Sequence, residues 1–456
     1  MDPKDKEYDA VIAGSGPGGA TVAREMSQKG KNVLILEWGG NDPVKGTPVQ
    51  AFPQVFMPGK SLLITGQFLG MVRGITTGGS SLFYCATAFD PPVAMLKAYG
   101  VDITEEVKEV RADLPINPLS DELMSPAGTR FMESALDLGY DARKLNKFIY
   151  QEKCKKDCDR CSYGCPEGAK WTARKFVEEA VANGAKMINH AKVDKVLVEN
   201  DKAVGLQYRH GGMHHKVYAS RVIVAAGGIG SPQILRNTGI DGVGRDFFFD
   251  PLCFVYGTVK NGGSGKGIQM CAGIHFAEEG IVMTDFNMTR MLKALFDLEV
   301  FRFGQVFNYN NVVPIMIKVR DGLGGHITDA GWVWKPLKAL DKHKLQTGKK
   351  HARRILKNMG ATDLYNSWLL AAHPGGTVKI GEHLDPQLQT RIENLYVCDC
   401  SVIPEELGLP PTFTILSLGK RLAKHLMAMD EGYTCLLYTS PSPRDHLLHL
   451  VCRLLL

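Results

Sequence analysis

The run YDAVIAGSGPGGATVAREMSQKGKNVLILE, residues 8–37, constrains this chain more than any other stretch. Apolar residues lead to Gly14, the glycines Gly14, Gly16 and Gly19 punctuate a turn, a helical pattern follows to Gly30, and a second apolar run ends on Glu37. A strand, a glycine turn, a helix and a strand within about 30 residues make up a dinucleotide-binding βαβ unit. Gly14 permits the tight turn, Gly16 lets the backbone approach a pyrophosphate, and Gly19 lets the helix press on the strands. The helix N-terminus, with Ser15 inside the turn, presents free N–H groups to the anion. Glu37 is placed to accept hydrogen bonds from a ribose diol, and its charge opposes a 2′-phosphate, so NADP is not expected. Glycine turns also arise for backbone reasons alone, and this unit by itself does not separate NAD from FAD.

The 456 residues allow two or three domains. A net charge of +6 with no basic run gives no reason to expect nucleic acid. The polar start MDPKDKEYDA passes directly into the first strand, so neither signal peptide nor anchor is expected and the chain reads as cytoplasmic. Residues 435–445, CLLYTSPSPRD, are what one frame of a transposon-type sequencing adaptor encodes, and residues 435–456 are read as an assembly artefact. Their apolar end, HLLHLVCRLLL, is too short to span a bilayer, so no transmembrane segment is expected. Without them the eleven cysteines become nine and the charge becomes +5, since they hold Cys435, Cys452, Arg444, Arg453 and Asp445.

After Glu37 a glycine- and proline-rich connection leads to TTGGSSLFYCATA, residues 76–88, where Gly78, Gly79 and Ser80 form a turn rich in N–H and hydroxyl donors. It suits a phosphate or a flavin edge, and equally a serine-capped helix start. Residues 91–149 are amphipathic and helical, interrupted by Pro115, Pro118 and Pro126, and read as a cap or lid, with helices that simply cover a core as the other reading. Residues 150–169 hold Cys154, Cys158, Cys161 and Cys165 in a C-x3-C-x2-C-x3-C-P order. In a reducing compartment such a run points to metal rather than disulfides. A tight run ending in Cys-Pro resembles iron–sulfur ligation, a [4Fe-4S] cluster, more than paired zinc knuckles; zinc and thiols that only pack remain alternatives.

From residue 170 a helix and alternating strands around Gly211 and Gly212 predict an antiparallel ribbon, and RVIVAAGG a buried strand that returns to the first sheet at Ala226. Residues 251–374 have strands rich in Phe, Val, Ile and Met and predict a mainly antiparallel second domain. The aromatic run ALFDLEVFRFGQVFNYNN within it suits a pocket lining or plain core. The closing part carries AAHPGGT with His373, then NLYVCDCSVIP with Asp399, and a helix starting near Pro411 and Thr412.

GSGPGGA, TTGGSSLF, AAGGIGSPQILRNTGI, HPGGT, and NLYVCDCSVIP with PPTFTILSLGKRLA, in that order, resemble the glucose-methanol-choline (GMC) flavoprotein oxidoreductases. The resemblance runs from Tyr8 to about Leu426 and implies an α/β fold: a discontinuous Rossmann-like FAD-binding domain with a second α+β substrate domain on an antiparallel sheet. The FAD-binding domain would comprise residues 1–90, 170–250 and 375–434. The resemblance implies Gly14, Gly16 and Gly19 at the FAD pyrophosphate and Glu37 at the adenosine ribose. It also implies Gly79 and Ser80 beside the flavin, the backbone near Val193 at the adenine, and Asp399 at the ribityl and pyrophosphate region. The positive end of the helix at Pro411 and Thr412 would face the flavin pyrimidine, where it favours the anion of reduced flavin.

His373 matches the family's active-site histidine, and imidazole suits the proton lost when an alcohol is oxidised; a histidine that merely bonds loop carbonyls is the other reading. The chain departs from the family at Pro410, where a second His or Asn is usual, and at Tyr84, where an Asn is common. Tyr84 itself or Asn366 are candidates to assist. The expected function is FAD-dependent oxidation of the CH–OH group of a small alcohol-type substrate, with hydride passing to flavin N5 and the proton to His373. A cluster at the four cysteines would let electrons leave singly toward a carrier protein or quinone and would favour a dehydrogenase over an oxidase. A flavin and iron–sulfur electron-transfer or redox-sensing protein, or a reductase on the same fold, are the alternatives.

Overall fold

The computed structural model describes residues 8–430 apart from 264 and 266, so the reading of residues 435–456 falls outside the described residues. The strand Tyr8–Ala13 centres the first sheet. It pairs in parallel with Val33–Leu36 on one side and with the far half of Met213–Val224 on the other, Ala10 lying between Val33 and Arg221. Lys186–Ile188 and Leu395–Val397 extend the sheet in parallel at its two flanks. The helices Pro17–Ser27, Ala173–Ala182 and Thr412–Asp430 pack together over it. Val33–Leu36, Leu395–Val397 and nearly all of Tyr8–Ala13 are buried apolar runs without alternation, as parallel sheets covered by helices require. Met213–Val224 belongs to two structures at once: its first half pairs antiparallel with Lys202–His210, and its second half enters the parallel sheet. The expected ribbon and the expected returning strand are one continuous strand. The nucleotide-binding unit is thus discontinuous, closed by residues near the chain's far end.

The second domain is built on a nine-stranded sheet, antiparallel except where Gly70–Val72 meets Leu370–Ala371. Along Pro251–Thr258, Cys253 and Val255 enter one apolar core and Leu252, Phe254 and Tyr256 enter another. The first of these cores is covered by the helix Ala339–Asn358, which lies so close that a Cβ on Gly348 would stand 2.5 Å from Ile317 Cγ2. The other faces back toward the nucleotide-binding domain.

Within residues 91–149, Val93–Ala98 and Thr104–Asp113 place Leu96 and Val110 in the first domain's core, while Pro126–Asp137 buries Phe131 in the second. Their apolar faces are used up on the two cores, and none of these residues lines the central cavity. The glycine- and proline-rich connection after Glu37 is, by contrast, structured. It holds the helix Pro48–Val55, capped by Thr47, and a hairpin of Leu62–Ile64 with Gly70–Val72 that joins the second sheet at its edge. This excursion, not residues 91–149, roofs the cavity with Val55, Leu63 and Phe68.

Candidate active site

The turn after Tyr8–Ala13 shows a division of labour among its glycines. Gly14 has φ +105°, open to glycine, and a Cβ there would meet the Ala225 carbonyl oxygen at 2.3 Å. A Cβ on Gly19 would stand 2.1 Å from the Gly14 oxygen, so this glycine sets the helix against the strands. Gly18, not singled out from the sequence, is just as constrained, since a Cβ would lie 1.8 Å from the Cys398 carbonyl oxygen. Gly18→Ala is therefore expected to cost about 1–3 kcal/mol of stability by overpacking, measured by urea unfolding. Gly16 differs: a Cβ there would meet nothing within 4 Å. The missing side chain leaves space on the cavity side of the helix N-terminus Pro17–Ser27, where an anion would sit.

Glu37 is buried at the end of its strand. Its Oε2 accepts hydrogen bonds from Ser15 N (3.1 Å) and Ser15 Oγ (2.6 Å), and its Oε1 from Gly39 N (2.7 Å). Burial raises its pKa against these hydrogen bonds, and the carboxylate ties the glycine turn to its own strand end while still lining the cavity. Ser15 Oγ in turn accepts from Gly78 N at 3.0 Å. Gly78 and Gly79, both at positive φ, thus lie against the first turn, and a Cβ on Gly79 would come within 3.1 Å of Gly16 Cα. Gly79–Leu82 is a short 3₁₀ turn, and Ser80 Oγ accepts from Gly74 N at 2.9 Å. Beside Glu37, Trp38 lies under three cations: Lys192 at 4.5 Å, Lys60 at 5.3 Å and Arg73 at 5.5 Å from the ring centre. Val193 lines the same end of the cavity.

Ala226 and Asp399 meet at the next turn. Asp399 Oδ2 accepts from Gly227 N (2.8 Å) and Ser231 Oγ (2.5 Å), and its Oδ1 from Ser401 N (2.8 Å). Burial raises the pKa of this carboxyl, opposed by those donors. It locks the returning strand to the last one and lines the cavity with Ala226. Pro410, Pro411 and Thr412 complete the wall, so the helix Thr412–Asp430 starts at the cavity.

The cavity measures about 1000 Å³. It runs from Trp38 and Val193, past Gly14 to Gly18, to His373 and Pro410, and opens into an apolar chamber with Phe254, Met270, Phe286, Phe296 and Met316. His373 sits where the two domains meet. Its loop is pressed on the Gly228 turn, where a Cβ would lie 1.8 Å from the Pro374 oxygen, and its own φ is +32°. His373 Nδ1 lies 3.1 Å from Asp250 Oδ2 and 3.5 Å from Lys318 Nζ, and Lys318 pairs with the same Asp250 oxygen at 3.3 Å. Burial and then Lys318 lower the pKa of His373, against the pull of Asp250. Asp250 is held below the usual carboxylate range: burial raises it, but Lys318 and His373 outweigh burial. Its backbone N–H donates to Asp321 Oδ1 at 2.9 Å, and Asp321 pairs with Lys335 at 3.0 Å.

Asp250, Lys318, Asp321 and Lys335 were not singled out from the sequence. The available signal was charge inside apolar runs, in FFFDPL and in VVPIMIKVRD. Of the candidate assistants, Tyr84 lines the cavity but donates its hydroxyl to the Trp171 carbonyl at 2.9 Å, and Asn366 accepts from Arg353 and is not part of the cavity wall. Of the aromatic run, Phe296 reaches the chamber, whereas Phe301, Phe303 and Phe307 are exposed.

Metal ligation by Cys154, Cys158, Cys161 and Cys165 finds no support in the geometry. Among the described residues no three His, Cys, Asp or Glu side chains are grouped to hold a metal ion. Cys161 is buried in the first core with Cys154 packed against that core, and burial pushes the two thiols up to about 12 and about 11. Cys165, at φ +60°, turns its sulfur onto the Lys170 N–H at 3.3 Å. The buried Lys170 ammonium fixes the segment by donating to the carbonyls of Leu82, Tyr84 and Cys161.

The glycine turn of the discontinuous Rossmann-like sheet opens on a cavity shared with the antiparallel domain, the arrangement of a dinucleotide-binding site. Sequence profiles of the GMC oxidoreductases match residues 8–252 and 315–419, and the chain belongs to that family of FAD-binding oxidoreductases. It is 28% identical to an uncharacterized protein of Methanocaldococcus jannaschii over 92% of this chain and 100% of that one. It is 25% identical to a long-chain-alcohol oxidase of Arabidopsis thaliana, over 90% of this chain and 65% of the plant protein. Among solved structures, a formate oxidase from Aspergillus oryzae superposes with a TM-score of 0.73 at 15% identity, covering 93% of this chain and 99% of that chain. Pyridoxine 4-oxidase from Mesorbium loti gives 0.70 at 15% identity, covering 92% and 99%. Among the described residues, no helix is long and apolar enough to cross a membrane.

Proposed function

We propose that this chain oxidises the CH–OH group of a small alcohol bearing an apolar chain, with His373 taking the hydroxyl proton. The observation that carries the reading is the place of His373: in the cavity wall, fixed through Nδ1 by Asp250, beside the start of the helix Thr412–Asp430. FAD, when bound, supplies the hydride acceptor. Gly14, Ser15 and Gly16 would hold its pyrophosphate on the helix that Gly19 seats against the strands, Glu37 its ribose diol, Val193 the adenine side, and Gly79, Ser80, Ala226 and Asp399 the remainder, with Gly78 bracing their turn on Ser15. An ionised Asp250 accepts Nδ1–H, which leaves the Nε2 lone pair for the cavity and the substrate proton. Pro410, Pro411 and Thr412 close this end, and the helix dipole there favours negative charge.

The apolar chamber beyond His373 supports an alkyl chain as the rest of the substrate, in keeping with the long-chain-alcohol oxidases among the relatives. Burial of a methylene is worth about 0.8 kcal/mol, so kcat/KM should rise about fourfold per carbon in a primary-alcohol series until the chamber is full. A flat series would remove the apolar-chain part of the reading. Electron exit through an iron–sulfur cluster now rests on cysteine order alone, and the argument for a dehydrogenase over an oxidase lapses with it. Iron and sulfide analysis of anaerobically prepared protein tests the cluster; oxygen uptake against dye reduction tests the acceptor. If no alcohol bleaches the flavin, the electron-transfer reading takes over.

A further inference from the structure

We propose that Lys318 is a positioning residue for His373: with Asp250 it clamps the Nδ1 edge of the imidazole, leaves Nε2 to the cavity and keeps the ring uncharged. The proposal rests on the reading of His373 as the base. The strand Val312–Val319 is buried along its whole length and reads VVPIMIKV, so Lys318 is the one charge in an otherwise apolar element. Its side chain is 1% exposed, and burying an ammonium is costly unless it is paired. An aliphatic residue would complete the strand without that cost. What the lysine gains is the pairing with Asp250 Oδ2 at 3.3 Å, in a position that also holds its charge 3.5 Å from the His373 Nδ1 edge.

The arrangement differs in consequence from a carboxylate alone. Asp250 by itself would hold the ring orientation but also stabilise imidazolium, which cannot accept a proton. A cation on the same carboxylate oxygen, 3.5 Å from the ring nitrogen, cancels that stabilisation while Asp250 still accepts Nδ1–H. Asp250 Oδ1 accepts from Gly408 N at 3.0 Å, which ties the clamp to the loop before Pro410. The remaining titratable neighbours do not replace the cation. Cys400, whose sulfur lies 3.8 Å from the His373 oxygen, is a thiol pushed well up by burial. Asp321 lies behind Asp250 and is matched by Lys335. Asp399 is occupied by its own donors.

The test uses FAD-loaded protein with ¹⁵N-labelled histidine, His373 being assigned by His373→Gln. Wild-type His373 is expected to titrate below the ordinary value of about 6.5 with an Nδ1–H tautomer. Lys318→Met should raise that titration by about one unit or more, tenfold or more in the proton affinity, and Lys318→Arg should stay near wild type. Should Lys318→Met fail to fold, Asp250→Asn provides the opposite arm: a lower titration and loss of the fixed tautomer. An unchanged titration in Lys318→Met, or in Asp250→Asn, overturns the clamp. Dodecanol bleaching of the flavin at the wild-type rate in His373→Gln would instead overturn the base reading, and with it the purpose of the clamp.

Discussion

His373→Ala is expected to slow anaerobic flavin reduction by an alcohol about 10²–10⁴-fold, the usual contribution of a positioned general base, with FAD content unchanged. Three features of the site lead to that magnitude. His373 lies in the cavity wall, its Nδ1 is committed to Asp250, and among the neighbouring ionisable groups Asp250, Lys318 and Cys400 none is a free base. Lys318 is paired, Asp250 already accepts hydrogen bonds from His373 and Lys318, and burial pushes the Cys400 thiol well up. Alanine accepts the same backbone constraint as histidine at φ +32°, so the fold should be kept and the loss should fall on the reaction. The check is stopped-flow flavin bleaching beside the flavin-to-protein absorbance ratio. A loss of less than threefold would mean that the histidine serves the loop and not the chemistry.

The second large effect is expected at Gly16. Gly16→Val should leave a folded protein with melting close to wild type and FAD content reduced more than about tenfold. A Cβ at this position would meet no protein atom within 4 Å, so a small branched side chain starts in open space. The isopropyl group would instead occupy the approach to the helix N-terminus, where backbone N–H groups would otherwise bind the pyrophosphate. Gly18→Ala forms the contrast, since its added methyl would run into the Cys398 carbonyl and damage the fold. Flavin fluorescence released on denaturation, set beside far-UV circular dichroism, separates the two cases. Full FAD occupancy in Gly16→Val would remove the pyrophosphate from this turn.

The sequence signals that succeeded share a physical basis: they are local. The Gly14 turn, the returning strand ending at Val224 and the helix from Thr412 each announce themselves through apolar periodicity and glycine placement within a short window. What escaped depends on distant contacts. Asp250 and Lys318 are separated by 68 positions and become a pair only when the strands Pro251–Thr258 and Val312–Val319 register side by side. The hairpin at Leu62–Ile64 is short and finds its stability at the edge of another domain's sheet, so its own pattern is weak. Residues 91–149 were legible as helices but not in their docking, because an amphipathic face does not say which core it will join. The four cysteines form a sharp local pattern, but spacing cannot show that Cys161 lies in a core with Cys154 packed against it.

Oxidation of an alcohol at His373 beside bound FAD should be visible when a straight-chain primary alcohol is added to the wild-type FAD-loaded protein without oxygen. The expected result is bleaching of the oxidised flavin band with one aldehyde formed per flavin. An unbleached flavin across the whole alcohol series, in protein that dithionite reduces normally, would contradict it.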